Sequence, residues 1–501
     1  MLYVYVKSKI AASRRTLTNT SMQDWRLAEE QSKQLTLQKE DAAQRVAGRQ
    51  ALYRGRDLTS GSISRNLWFL AWPQMAESVL NIADQVLDLV WAGRLGAHAI
   101  AGLGVAQSYV ALVMTGRMGF DTASRAMISR AVGARDIPFA NHIALQGFTL
   151  SSFFSIVIAA MGVLLTEWLL RLLGLSDAVV SQGAAYMRVQ LVGQVTIAFR
   201  MMSSAALQAS GDAVTPLKAT TLTRIVHVVL SPFLIFGWWL FPELGLAGAA
   251  WATVLAQLAG ATWNFHALFT GKSLLRLSLR GYRLDFRLLW RIIRIGTPAS
   301  VTTAERTVAQ VILIGLVAPF GDFALAAYSI TRRLEMFTTM GIMGLGQASG
   351  ILAGQNLGAG KPERAKATAW WALAYVMIIN VVLCGVLLAF PSFVVSIFNT
   401  EPELLAVGVT WVRLQALSSI AMGPGAVLMT TFNTAGDTVV PMLVTLVSIW
   451  GVELPFAFAL PHVWGLGQYG IAWAVAIAMV VRLVIYGVYF RRGSWLRKKV
   501  I

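Results

Sequence analysis

The sequence predicts an all-α polytopic membrane protein, with twelve transmembrane helices in two six-helix lobes related by a pseudo-two-fold axis along the membrane normal. Three observations predict it. Only 13% of the 501 residues are charged and 56% are hydrophobic, at a mean hydropathy of +0.61, whereas a soluble globular domain carries roughly 25% charged residues. From Asn66 onward, mainly apolar stretches recur at the length a helix needs to cross about 30 Å of hydrocarbon. An internal repeat at a constant offset of 225 residues divides this apolar region into equivalent halves.

Residues 1–61 come first, mostly polar and of mixed charge, with heptad-like fragments such as DWRLAEEQSKQLTLQKEDAAQRV. Their opening, MLYVYVKSKI, is too short for the apolar core of a signal peptide, and the segment is expected to be a cytoplasmic tail, disordered or partly helical. Spans follow at 66–92, 99–129, 139–165, 178–207, 217–241 and 245–270, an N-lobe over 62–270. A basic cytoplasmic linker at 271–293 leads to spans at 294–318, 324–354, 367–391, 403–432, 439–461 and 467–490, the C-lobe over 294–490, and a basic cytoplasmic tail at 491–501 follows. Helices are expected rather than barrel strands, because a strand crosses a bilayer in only about 9–11 residues. Short turns such as GARDIP, SGDAVTP and AGDTVVP separate the spans.

Lysine and arginine concentrate in the N-terminal tail, the linker, GKPERAK at 360–366 and the end of the chain. The positive-inside rule then puts both termini in the cytoplasm, in a plasma or inner membrane. The net charge of +18 is spread between spans instead of forming one basic patch with interleaved aromatics, which argues against nucleic acid as a partner. Trp68, Trp72, Trp91, Trp239 and Trp495 lie near span ends and fit interfacial belts. The single cysteine, Cys384, excludes a disulfide framework and a Cys-based zinc site.

The repeat rests on three motifs in one register. GRMGFDTASRAMISRAVGA at 116–134 aligns without gaps on GIMGLGQASGILAGQNLGA at 341–359, matching Gly116, Met118, Gly119, Ala123, Ser124, Gly133 and Ala134 to identical residues. Pro73 maps to Pro298, and SGDAVTP maps to AGDTVVP, pairing Asp212 with Asp437 and Pro216 with Pro441. Six spans return the chain to the side on which it started, so the halves share one orientation around an axis along the membrane normal.

Each helical residue turns about 100°, which places Glu77, Asn81, Asp84 and Asp88 on one stripe of the first span, with Gln74 and Gln85 at its margins. A charge at the bilayer centre costs at least roughly 2.5–3.5 kcal/mol on insertion scales, so the stripe must face the bundle interior or a wet cavity. Three readings stand for Asp88: a structural partner of a buried arginine such as Arg200 or Arg224, a solvated carboxylate near a loop, or a cation-coupling site. Burial and a second carboxylate one turn away are what tune a group for proton exchange near physiological pH. A sodium ion is equally well served by the Asp88 oxygens, since hard cations prefer oxygen ligands.

Arg117, Asp121 and Arg125, four residues apart, are expected to form a local ladder. Glu305, Arg306, Arg332, Arg333, Glu335 and Glu453 either line a cavity or pair with one another. His227 is polar in an apolar fifth span and reads as a hydrogen-bonded packing element or a titrating one. LGAGKPE lacks the first glycine and the final hydroxyl of a phosphate loop, with Gln355 and Pro362 at those positions. No H-E-x-x-H pair or G-x-S-x-G elbow points to an enzyme.

QVLDLVWAGRLGAHAIAG, the paired segments MGFDTASRAMISRAVGA and MGLGQASGILAGQNLGAGKPERA, and SGDAVTP with AGDTVVP resemble the multidrug and toxic compound extrusion (MATE) transporters over about residues 62–490. The resemblance implies two six-helix lobes around a V-shaped cleft. It also implies export of organic, often cationic, compounds in exchange for H+ or Na+. The family's first-helix aspartate falls on Asp88, five positions before Gly93 of GRLG. Its fifth-helix N-x-x-L-D-P falls on His227, Val228, Val229, Leu230, Ser231 and Pro232, so His227 replaces the asparagine and Ser231 the aspartate, and Asp84 stands in for the lost charge. The family's seventh-helix glutamate has its nearest match one position away, at Glu305, and its tenth-helix aspartate has none near Ser418–Ala421.

The expectation is a secondary active exporter, not an enzyme, working by H+ or Na+ antiport with alternating access between its lobes. Asp88, Asp84, His227 and Ser231 would hold the coupling cation, with Asp88 the ligand of any Na+, and Glu77, Asn81, Gln85 and Glu305 would line the substrate cavity. No cofactor beyond the coupling ion is expected; the partners are a small organic molecule and membrane lipid, and the chain is expected to be a monomer. The rivals are a lipid-linked saccharide flippase of the same superfamily, which calls for a more cationic cavity, and a membrane-embedded transferase, which calls for a His/Asp or metal cluster. An ion channel lacks a filter-like loop here.

Overall fold

The computed structural model describes residues 57–95, 97–172, 177–239 and 242–498; the side chains of residues 82–89, 92, 93, 97–101, 178, 337 and 340 lie outside that description. The expected N-terminal tail falls outside the described residues as far as Arg56. The N-lobe is built from α1 (Ile63–Leu95), α2 (Ala97–Gly133), α3 (Ile137–Arg171), α4 (Asp177–Val192), α5 (Gln194–Ala209), α6 (Val214–Phe236) and α7 (Gly245–Thr270). The C-lobe is built from α8 (Phe286–Val317), α9 (Asp322–Gly358), α10 (Pro362–Ala389), the short α11 (Pro391–Ser396), α12 (Pro402–Ala435), α13 (Val439–Ser448), α14 (Leu454–His462) and α15 (Gln468–Arg492). α4 and α5 are halves of one span broken at Gly193, and a π-helical turn at Ile449–Glu453 joins α13 to α14. With α11 set aside, twelve spans result among the described residues, six to a lobe. Seven helical segments are long and apolar enough to cross a membrane on length and composition alone.

Local chemistry sets the boundaries. Asp285 caps α8, its carboxylate accepting from the backbone N–H of Arg287 and of Leu288, each at 3.0 Å. Helix therefore begins at Phe286, and the last residues of the stretch read as linker, 286–293, are the first turns of α8. α6 stops at Phe236, short of the expected 241, because Gly237 takes a left-handed φ of 68° that terminates the helix. The rest of the linker packs against the N-lobe: Leu275 and Leu277 are buried, Gln146 Nε2 donates to the Arg283 carbonyl at 2.7 Å, and the Arg276 N–H donates to Asn141 Oδ1 at 3.1 Å.

Two expectations are corrected. Residues 57–61, read as the end of a tail, are folded: Leu58 is buried, Asn66 Nδ2 donates to the Ser60 carbonyl at 2.8 Å, and Lys361 and Arg364 donate to the carbonyls of Thr59 and Ser60 at 2.9 and 2.7 Å. Trp495 is fully buried against Phe432 and Phe490 instead of sitting in an interfacial belt, because the chain turns back at Gly493 and lays the indole on α12 and α15. Trp68, Trp72 and Trp239 are exposed, as a belt requires.

Helices in a membrane gain little from burying apolar surface and rely on close approach at small residues. A Cβ on Gly248 of α7 would lie 2.1 Å from the Leu234 carbonyl oxygen of α6, and one on Gly470 of α15 would lie 2.6 Å from the Pro461 nitrogen. Residues from both halves share one buried cluster, with Leu58, Leu67, Leu70 and Ala71 packed on Ile342, Leu345, Ala348, Ile351 and Leu352.

Candidate functional site

The inward stripe of α1 meets polar side chains of α2, α5 and α9 around a cavity of ≈ 120 Å³, lined in part by Gln74, Glu77, Asn81, Asp121, Arg125, Arg200, Gln208 and Gln347. Glu77 is the best connected of them. Its Oε2 accepts from Gln208 Nε2 at 2.9 Å, its Oε1 accepts from Thr220 Oγ1 at 2.8 Å, and the Arg200 guanidinium lies 3.7 Å away. Arg200 in turn donates to Gln257 of α7 and to Thr220. Asn81 Oδ1 accepts from Arg224 at 2.8 Å. α1, α5, α6 and α7 are thus tied through a single buried network, which is how a membrane interior accommodates charge.

The sequence-predicted residues fall as follows. Glu77 and Asn81 are brought together at this cavity. Asp84 and Asp88 lie on the same helix, α1, one and two turns further along, as does Gln85, but the side chains of all three fall outside the described residues. His227 of α6 is 1% exposed, with Nε2 3.3 Å from Thr253 Oγ1 of α7. Ser231 is buried, and its hydroxyl donates back to the His227 carbonyl at 2.6 Å. The expected ladder on α2 holds for its first step only: Arg117 pairs with Asp121 at 2.9 Å, while Arg125 reaches across to Gln347 of the other lobe at 2.6 Å.

The C-lobe has its own polar centre. A cavity of ≈ 50 Å³ is lined by Arg306 and Gln310 of α8, Arg332 and Glu335 of α9, Trp411 and Gln415 of α12, Glu453 of the π-turn and Arg482 of α15, among others. Arg332 pairs with Glu335 one turn on, and Arg482 Nε donates to Ser448 Oγ at 2.9 Å with Glu453 Oε2 3.9 Å from its guanidinium. The π-turn supplies the extra residue that brings Glu453 into the wall. Glu305 is not among the residues that line this cavity; its neighbour Arg306 is. Arg482 escaped the sequence reading although a signal was there, since it is the one charge inside the apolar run of α15.

The lobes meet through repeat-related contacts. Arg130 of α2 donates to the carbonyl of Ala435, the last residue of α12, at 2.9 Å, and Gln355 of α9 donates to the carbonyl of Ala209, the last residue of α5, at 2.8 Å. Arg130 and Gln355 are mates under the 225-residue offset, and each satisfies a helix C-terminal carbonyl that has no partner in its own helix. A Cβ at Gly133 would lie 2.0 Å from the Gln355 oxygen and one at Gly358 would lie 2.1 Å from the Arg130 oxygen, again a matched pair. Ser64 with Tyr375, and Ser300 with the Gly116 carbonyl, add cross-lobe bonds at 2.5 and 2.7 Å. The contacts of Arg130, Gly133, Gln355 and Gly358 lie at the end of the molecule that carries the α2–α3 loop, whereas Ser300 meets Gly116 about 25 Å away along α2.

Comparison with known proteins places this arrangement. The family model MatE matches residues 73–233 and 298–459, one match per lobe. The chain is 27% identical over 444 residues to the "Probable multidrug resistance protein YoeA" of Bacillus subtilis, covering 88% of this chain and 96% of that one. It is 25% identical over 441 residues to the "Probable multidrug resistance protein NorM" of Thermotoga maritima, covering 88% and 94%. A structure described as the outward-facing conformation of a multidrug resistance MATE family transporter of the MOP superfamily superposes with a TM-score of 0.82 at 22% identity, covering 89% of this chain and 99% of that one.

Proposed function

This chain belongs to the MatE family of membrane transporters, and from that premise we propose that it is a secondary active exporter of small organic compounds, driven by H+ or Na+ entry. The observation that carries the reading is the matched pair of lobe-to-lobe contacts: two halves closed by equivalent hydrogen bonds at one end can rock about that end and expose the interior alternately. Each half holds a buried polar centre, a requirement for ligands that must bind one orientation better than the other. In this scheme the coupling cation binds on α1 at Asp88 and Asp84, near His227 and Ser231 of α6, while the network at Glu77 and Asn81 fixes the angle between those helices. The end that carries the basic linker is the cytoplasmic one, in a cell membrane, with both termini inside, and the transporter works as a monomer.

One positive charge entering down about 100 mV releases roughly 2.3 kcal/mol, and one pH unit adds about 1.4 kcal/mol. Together these sustain about a 500-fold gradient of a neutral substrate exchanged for one proton. The test is counterflow of fluorescent organic dyes in proteoliposomes under imposed pH or Na+ gradients, comparing the native chain with Asp88→Asn. Gradient-driven movement is expected for the native chain and its loss for the variant; equal coupling in both removes Asp88 from the mechanism. For His227→Ala, a pH profile identical to the native one returns the imidazole to a packing role.

A further inference from the structure

We propose that the C-lobe cavity binds the anionic head of an organic substrate, a carboxylate or phosphate, with Arg306 and Arg482 as its receptors. The proposal rests on the transport reading above and deepens it by naming a substrate class. Three guanidinium groups, from Arg306, Arg332 and Arg482, face this cavity against two carboxylates, from Glu335 and Glu453. Arg332 is taken up by Glu335. Arg482 is 5% exposed, its Nε is used by Ser448, and its Nη2 has no hydrogen-bond partner, with the nearest Glu453 oxygen at 3.9 Å. No ion pair or hydrogen bond of Arg306 is found among the described residues, and Arg306 lines both this cavity and a smaller one that adjoins it along α12 and α15. A buried guanidinium donor left without a partner is expensive unless an acceptor arrives.

The size and the walls narrow the class. The ≈ 50 Å³ of free space holds about three or four waters, enough for a carboxylate or phosphate group and not for a whole drug-sized molecule. Trp411 and Tyr328, edge to face at 5.8 Å, together with Met422 and Met479 form the apolar side of this head-sized space. The N-lobe cavity contrasts with it: Glu77 and Asp121 there balance Arg125 and Arg200, and the further carboxylates Asp84 and Asp88 belong to the same helix. The N-lobe cavity is therefore balanced where the C-lobe cavity carries a guanidinium excess, which assigns the anionic head to the C-lobe. Arg306 is the repeat mate of Asn81, so this charge is specific to the second half.

The test is fluorescence anisotropy of carboxyfluorescein, an aromatic carboxylate, and of ethidium, an aromatic cation, titrated with the purified full-length protein in detergent. We expect saturable binding of carboxyfluorescein that weakens about tenfold or more in Arg306→Gln, as loss of one charge-assisted contact implies, recovers in part in Arg306→Lys, and is displaced by free benzoate-type anions but not by short-chain phosphatidylglycerol. Absence of anion binding by the native protein overturns the proposal, as does equal affinity in Arg306→Gln, or displacement by the lipid alone. The transport reading is judged separately, by dye counterflow in proteoliposomes: anion binding without counterflow of either dye refutes transport and keeps the site, and cation counterflow without anion binding does the reverse. Arg306 is only partly buried, so its substitution is tolerated; unchanged thermal unfolding of Arg306→Gln confirms that the loss is one of binding.

Discussion

Replacing Gly358 with alanine places a methyl group 2.1 Å from the carbonyl oxygen of Arg130, in the backbone of the opposite lobe. Carbon and oxygen approach no closer than about 3.3 Å even in favourable C–H···O contacts, so α2 and α9 must separate by roughly 1.2 Å at this point or the contact must break. Intrinsic helix propensity acts the other way, since alanine is about 1 kcal/mol better than glycine in a helix; any loss belongs to the contact. Overpacking of a fitted site costs about 1–3 kcal/mol, which shifts the balance between the orientation closed at this end and the opposite one by about 5- to 150-fold. Gly133→Ala, the repeat-related change with its Cβ 2.0 Å from Gln355, should do the same, and the double variant should fall short of additivity because one separation relieves both clashes. The assay is electron–electron distance measurement between spin labels on Ala134 and Glu363, both exposed near this end, in a Cys384→Ser background. A longer inter-label distance and slower dye counterflow are expected. If both alanine variants give the native distance distribution and native transport, the close approach is not what holds this end shut.

Other outcomes follow from the same geometry. Glu77→Ala removes the acceptor shared by Gln208, Thr220 and Arg200 and should cost about 3–5 kcal/mol, as breaking a buried pair does; a melting temperature within error of native refutes the bracing role. The Asp285 carboxyl is held below its ordinary value of 3.8, first by the Leu288 backbone N–H, and also by that of Arg287 and by His142 at 3.7 Å. A depressed acid contributes stability that is present above 3.8 and lost as pH falls through the lower folded value, so native and Asp285→Asn should differ in melting temperature at neutral pH and converge as acid protonates the native carboxyl; a constant difference across that range refutes the capping role. An anionic substrate leaving as one proton enters moves two charges, so imposing about 100 mV should change its steady-state ratio by about 2 × 2.3 kcal/mol, against about 2.3 kcal/mol for a neutral one; equal voltage dependence for an anionic and a neutral dye contradicts that stoichiometry.

Much of the architecture was legible in the chain because a membrane allows so few solutions. Apolar length and the requirement that every backbone group be bonded leave helices, and the 225-residue register of Pro73 with Pro298 and of Gly133 with Gly358 reveals two equivalent halves. Glu77 and Asn81 could be placed on an inward stripe by the helical turn alone. The partners could not. That Glu77 engages Gln208, Thr220 and Arg200, from 123 to 143 residues away, depends on how α5 and α6 sit against α1, and no local pattern encodes that. Arg482 carried a readable sign, a lone charge in an apolar helix, whereas the place of Glu453 depends on a π-turn that no sequence periodicity announces.

Sequence alone determined the number and course of the spans, the doubling of the fold and the stripe of acid residues on the first helix, because each follows from hydropathy and from distances along one helix. Only the tertiary structure decided which charges neutralise one another, since pairing depends on separations of a few ångströms between helices distant in the chain. It is that pairing which leaves a guanidinium excess in one lobe and a balanced network in the other, and which turns matched glycines and matched carbonyl contacts into the surface where the halves meet.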